Sequence, residues 1–136
     1  VVMGKSTAGI AHAAISAHIL GKPMGYVRGS SKSHGRNNRI EGKLEKGDKV
    51  VVVEDLISTG GSSIEVVEAL REAGAEVLAV ISIFTYETAK ADKNFQDANV
   101  EKLSLCTISE LIDTAVTENY VTSEEGKGII EWLREI

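Results

Sequence analysis

Two adjacent carboxylates, Glu54 and Asp55, follow a β-branched run, Val50-Val51-Val52-Val53. Two residues later comes a stretch of small and hydroxylated residues, Ser58-Thr59-Gly60-Gly61-Ser62-Ser63. The glycines would let the backbone approach a ligand closely, and both are expected to reject bulk. Free N–H groups and the positive end of a following helix favour a phosphate. Carboxylates so close to a phosphate cradle suit the hydroxyls of a sugar, or a magnesium ion. An acid pair ending a buried strand also lies where open α/β sheets take their ligands. An ordinary strand, turn and helix with a capping Ser or Thr would need no such combination.

A second concentration of chemistry is basic. Gly29 to Arg39, GSSKSHGRNNR, holds no apolar residue. Nothing in it can pack, so it reads as a mobile loop. With Arg28 just before it, the loop gathers Lys32, His34, Arg36 and Arg39 in a chain of net charge −5. That charge predicts a lid that closes on a polyphosphate and orders when it does. Lys32 and His34 are two residues apart, so an extended segment would point both to one side, toward one pyrophosphate.

Other polar residues carry less. Gly4 to Gly9, GKSTAG, is a further small-residue loop. Its Gly-Lys-Ser looks like the end of a Walker A loop, but that motif needs a glycine five residues before the Gly-Lys pair. His12 and His18 are too far apart for an i, i+4 metal pair and read as surface or packing residues.

These groups need elements to hold them. Val50 to Val53 is apolar throughout, as a strand buried on both faces of a parallel sheet would be. Val1–Met3, Met24–Arg28, Ile40–Glu41 and Val100–Cys106 read as further strands. So does the run within Glu76–Tyr86, too continuously apolar to be half-exposed. Helices are expected over Ile10–Leu20, from Ile64 to Gly74, and, as a polar surface helix, within Thr88–Ala98. Thr107 caps the next one, with Glu110 at the capping-box position. The last spans Glu124–Ile136, with Ile129, Ile130, Trp132 and Leu133 as its packing side. Strands alternating with helices imply one α/β domain over residues 1–136, its parallel sheet covered on both faces.

Composition sets the outer bounds. A chain of 136 residues can bury a real core, and with only 4% aromatics that core must be aliphatic. The acidic balance argues against general nucleic-acid binding. Cys106 is the only cysteine, which excludes an internal disulfide and favours the cytoplasm. No apolar run is long enough to span a membrane. Val1 opens on an apolar run with no methionine before it, so the chain reads as lacking its true N-terminus.

The block Val50–Ser63 closely resembles the phosphoribosyl-pyrophosphate (PRPP) motif of the type I phosphoribosyltransferases. The likeness extends over most of the chain to the orotate branch of that family. It includes STAGI at Ser6–Ile10, YVR at Tyr26–Arg28, Lys32 with His34-Gly35, Ile40-Glu41-Gly42, and SIFTYE at Ser82–Glu87. The resemblance implies the Rossmann-like fold of that family, a mostly parallel sheet flanked by helices with a flexible catalytic loop. The family's N-terminal hood would be absent.

It also implies an activity. Phosphoribosyl would pass from PRPP to orotate, giving orotidine 5′-monophosphate and pyrophosphate in pyrimidine biosynthesis. Mg2+ would be required, and the enzyme would be a cytoplasmic homodimer whose loop serves the partner's site, without nucleic-acid or membrane partners. Carried over by motif, Lys32, His34 and Asp55 would be catalytic. Arg28, Lys32 and His34 would bind the pyrophosphate. Glu54 and Asp55 would hold the ribose hydroxyls directly or through water. Leu56 and the span Ile57, Ser58, Thr59, Gly60, Gly61 and Ser62 would complete PRPP binding, that span wrapping the 5′-phosphate, with Ser58 also near the orotate. Magnesium would arrive with PRPP and reach Glu54 or Asp55 only through water. Many family members carry another lysine where this chain has Gly29, Ser30 and Ser31, which implies weaker pyrophosphate binding unless Arg36 compensates. The alternatives are a type I enzyme acting on a purine or uracil, and a non-catalytic regulator that senses PRPP.

Overall fold

The computed structural model describes residues 1–29 and 39–136. In chain order it contains β1 (Val2–Lys5), α1 (Ala8–Leu20), β2 (Met24–Val27), β3 (Ile40–Glu41), β4 (Lys49–Ile57), α2 (Gly61–Glu72), β5 (Glu76–Thr85), α3 (Ala89–Asp97), β6 (Glu101–Thr107), α4 (Ile108–Thr117) and α5 (Ser123–Arg134). The strands form one sheet in the order β3-β2-β1-β4-β5-β6. All neighbours are parallel except β2 and β3. The expected α/β class and mostly parallel sheet are therefore found. The winding reverses at β1, whose neighbours are β2 on one side and β4 on the other. A crevice opens between the carboxyl ends of strands at such a switch point.

The strand lengths shape that crevice. β1 pairs with β4 only as far as Gly4 opposite Val53, whereas β4 runs on against β5 to Ile57 opposite Thr85. The expected strand end at Val53 is thus corrected: Glu54 and Asp55 lie inside β4, and it is β1 that stops beside them. Continued pairing with β5 outweighs the weak strand preference of acidic residues, because β propensity depends strongly on context.

One face of the sheet carries the main core. Val50, Val52 and Val80 meet Val66, Val67 and Leu70 of α2 and Phe95 of α3. Each such aliphatic side chain, fully buried, contributes roughly 1.5–3 kcal/mol. On the other face α1 lays Ala13 and Ala17 against Val2 and Val53. Its first turn comes so close that a Cβ on Gly9 would run into the Val53 carbonyl oxygen.

Coverage of this second face differs from expectation. α1 packs on β1, β2 and β4, and the β5–β6 half is left open among the described residues. Ile83, Leu103 and Leu105 are 37%, 48% and 75% exposed. β5 is accordingly half-exposed despite its continuous apolar sequence. α3 is more than a surface helix, since it buries Ala91 and Phe95. Trp132 is a further correction, because it is 63% exposed. Leu133 and Gly126, seven residues apart, form the buried side of α5, and Trp132 is turned about 100° away from Leu133. Thr107 does cap α4, accepting from the Glu110 N–H at 3.2 Å. A complete capping box stands at Thr122, which accepts from the Glu125 N–H at 3.1 Å while Glu125 accepts from the Thr122 N–H at 3.0 Å. No helix among the described residues is long and apolar enough to cross a membrane.

Candidate functional site

Where β1 stops, Lys5 comes beside Glu54. Its Nζ lies 3.7 Å from Glu54 Oε2. Glu54 is only 3% exposed. It accepts from Ser63 Oγ at 3.0 Å and from the Asp55 N–H at 3.1 Å. Burial, then the side chain of Asp55, push its carboxyl up to about 7, against the opposing pull of Lys5 and Ser63. Asp55 is half-buried and behaves oppositely: its hydrogen bond with Glu54 holds its carboxyl below the ordinary range. Near neutrality the pair can therefore share a proton, which Glu54 holds and Asp55 accepts from. The negative charge then rests mainly on Asp55.

This arrangement has a consequence for stability. Below about pH 4.5, the ordinary value for Glu54, the residue is protonated both folded and unfolded and contributes nothing. As pH rises, the unfolded chain releases this proton first, so stability falls. The loss is complete above about 7, the folded value. Its size is on the order of 3 kcal/mol. Glu54→Gln should therefore flatten the decline in denaturant midpoint between pH 4.5 and 7. An unchanged slope in that variant would assign the decline to other groups.

Beyond β4, Ser58 and Thr59 lead into α2. Gly60 takes φ +83°, and a Cβ there would lie 2.8 Å from the Phe95 ring. Gly61 is different: it is exposed, and nothing lies within 4 Å of where its Cβ would be. Of the two glycines, Gly60 alone is sterically confined by the chain itself. Among the described residues no side chain caps α2, and its first turn carries no acid. Its leading N–H groups and positive end remain available to an anion. The carbonyls of the turn are engaged instead: Thr88 Oγ1 donates to Ser58 O at 2.7 Å, and Asn94 Nδ2 donates to Thr59 O at 2.8 Å. The Ile57 side chain is in the core and its carbonyl accepts from the Tyr86 N–H at 3.1 Å. Leu56 is exposed.

The basic segment is tied at its base. The Arg28 N–H donates to Arg39 O at 2.7 Å, and Arg39 Nε donates to Arg28 O at 3.0 Å. Arg28 Nε also lies 3.1 Å from Glu41 Oε1. Arg28 directly follows Val27, which pairs with Lys5. The root of the segment therefore stands at the carboxyl edge of the sheet, on the β2 side of Lys5. Lys32, His34 and Arg36 lie outside the described residues.

Four residues gain a place that sequence reasoning did not assign. Lys5 had a local signal, a cation ending a strand before a small-residue loop. Ser63 stood inside the recognised block without a role. Thr88 and Asn94 had no local signal, because they reach the turn from 30 and 35 residues away. Together the groups offer an anion cradle, a carboxylate pair and a basic rim. That set can hold a phosphorylated sugar with a further anionic group.

A family model described as a phosphoribosyl transferase domain matches residues 1–119. An orotate phosphoribosyltransferase from Staphylococcus saprophyticus is 52% identical over 97% of this chain. The chain spans about 65% of that relative's length. Among solved structures, orotate phosphoribosyltransferase from Aeropyrum pernix is 33% identical with a TM-score of 0.73, covering 83% of this chain and 63% of its own. UMP synthase from Leishmania donovani is 26% identical with a TM-score of 0.80, covering 97% of this chain and 28% of its own.

Proposed function

The chain belongs to the phosphoribosyl transferase domain family, and from that premise we propose that it is the core of an orotate phosphoribosyltransferase. On this reading it transfers phosphoribosyl from PRPP to orotate, releasing pyrophosphate and forming orotidine 5′-monophosphate for pyrimidine biosynthesis. Residues 1–136 form a single core domain. The observation that carries the choice of base is the 52% identity to an orotate enzyme along nearly the whole chain.

The geometry supports a division of labour. The 5′-phosphate sits on the uncapped start of α2, wrapped by Ser58, Thr59, Gly60, Gly61 and Ser62, with the backbone at Ile57 leading in. Asp55, ionised, holds the ribose hydroxyls, with Glu54 behind it as proton partner. Arg28 stands at the pyrophosphate side, joined on this reading by Lys32 and His34, and Ser58 borders the orotate. The bond from the anomeric carbon to the pyrophosphate oxygen breaks as the orotate nitrogen bonds to that carbon. Pyrophosphate leaves as a stable anion, so no protein nucleophile is required. Alignment and charge stabilisation supply the rate. The acids also favour positive charge developing on the ribose.

Among the described residues no cluster of three or more acids, histidines or cysteines could hold a metal by itself. Magnesium typically keeps several waters and binds substrate phosphates with one or two carboxylates. Asp55, half-buried and carrying the charge of the pair, fits that donor set, reached through water. When bound with PRPP, Mg2+ would neutralise charge on the departing pyrophosphate. A cytoplasmic homodimer with loops shared between sites completes the proposal.

The test is base-dependent consumption of PRPP by the protein carrying this chain. Orotate should support turnover, and uracil, adenine and hypoxanthine should not. Turnover with one of those bases instead would reassign the enzyme within the family. PRPP binding without turnover on any base would make it a sensor.

A further inference from the structure

We propose that Asn94 and Thr88 are positioning residues that aim the N–H groups of the phosphate turn. This rests on the reading of Ser58–Ser62 as the cradle for the 5′-phosphate of PRPP. A trans peptide unit is planar, so a carbonyl and the N–H of the next residue point in opposite directions. Thr88 Oγ1 holds the Ser58 carbonyl at 2.7 Å, which turns the Thr59 N–H the other way. Asn94 Nδ2 holds the Thr59 carbonyl at 2.8 Å, which does the same for the Gly60 N–H. Two consecutive donors are thus aimed away from α3 by bonds made on the α3 side.

The supports are themselves constrained. Thr88 is 1% exposed and is the N-cap of α3, its Oγ1 accepting from the Ala91 N–H at 3.1 Å. With that lone pair engaged, its single proton goes to Ser58. Asn94 is half-buried and directly precedes Phe95, which is 2% exposed and fills the space beside Gly60. Ala91 and Phe95 anchor α3 in the core. The helix therefore offers a fixed base for a turn that would otherwise have wide backbone freedom. Holding donors in place before the ligand arrives removes an ordering cost from binding.

Ribose 5-phosphate is a selective probe, because it can occupy the cradle and the ribose site and lacks pyrophosphate. Calorimetry on the intact chain should find that Asn94→Leu weakens ribose 5-phosphate binding about tenfold or more. Its affinity for pyrophosphate with Mg2+ and its melting temperature should stay as in the wild type. Asn94→Asp keeps the shape, loses the donor, and should show the same selective loss, so the test survives if the leucine variant does not fold. Thr88→Ser keeps the hydroxyl and should bind as the wild type does. Wild-type affinity for ribose 5-phosphate in both Asn94 variants would overturn the proposal. So would a matching loss of pyrophosphate affinity with a lowered melting temperature, which would mark Asn94 as merely structural. A wild type that does not bind ribose 5-phosphate would remove the cradle reading itself, and this proposal with it.

Discussion

Asp55→Asn should lower turnover at least about a hundredfold while the melting temperature stays within a few degrees of the wild type. Two contributions are lost together. The variant removes a carboxylate that would hold the ribose hydroxyls by charge-assisted bonds, and it removes negative charge beside a ribose that becomes cation-like. Neither involves the core. Asp55 is half-buried near the sheet's carboxyl edge, and the hydrogen bonds around it centre on Glu54. Asparagine nearly preserves its volume. The measurements are initial rates at saturating PRPP and orotate, with thermal unfolding of the same preparations. A large fall in melting temperature with normal turnover would make Asp55 a structural residue.

Gly60 and Gly61, though adjacent, should fail in opposite ways when replaced by valine. Gly60→Val puts a β-branched residue at φ +83° and presses a Cβ toward the Phe95 ring. Backbone strain of this kind costs on the order of 1–3 kcal/mol, before any clash is counted. This variant should lose both stability and PRPP affinity. Gly61→Val meets open space and needs no left-handed backbone, so its melting temperature should hold. Its side chain instead stands at the exposed start of α2, where the phosphate would approach the N–H groups. PRPP affinity should fall at least about a hundredfold, the loss of two or so hydrogen bonds to a charged group. Calorimetry with PRPP beside thermal unfolding separates the two cases. Unchanged affinity in Gly61→Val would remove this turn from the site.

The parts of the site that are contiguous in the chain were readable from the chain. β-branched residues, two acids and a glycine turn sit within Val50–Ser63, and local preference and local spacing are enough to join them. The α/β class follows in the same way from alternating apolar runs. What was not legible depends on distant partners. The end of β4 is set by its ladder with β5, which carries the strand past two acids. The uneven protonation of Glu54 and Asp55 depends on burial and on Lys5 and Ser63. The support of the turn by α3 depends on a helix placed by Ala91 and Phe95. An apolar run in β5 signals a preference for burial, yet Leu78 and Ile83 stay exposed because no described helix covers the second face of the β5–β6 half.

The contact between Gly60 and Phe95 makes two distant codons one hereditary unit. A change at Gly60 is met both by a wall at residue 95 and by a backbone at φ +83°. Loss of the ring alone frees nothing at residue 60, whose backbone still calls for glycine, and it leaves a hole in the core. Each first step is harmful by itself, and selection would discard it before the second arrives. Lys90, Lys93, Gln96 and Asp97 on the exposed side of the same helix meet no such barrier. Diverging lineages should therefore rewrite the outside of α3 freely while passing on the glycine and the phenylalanine together.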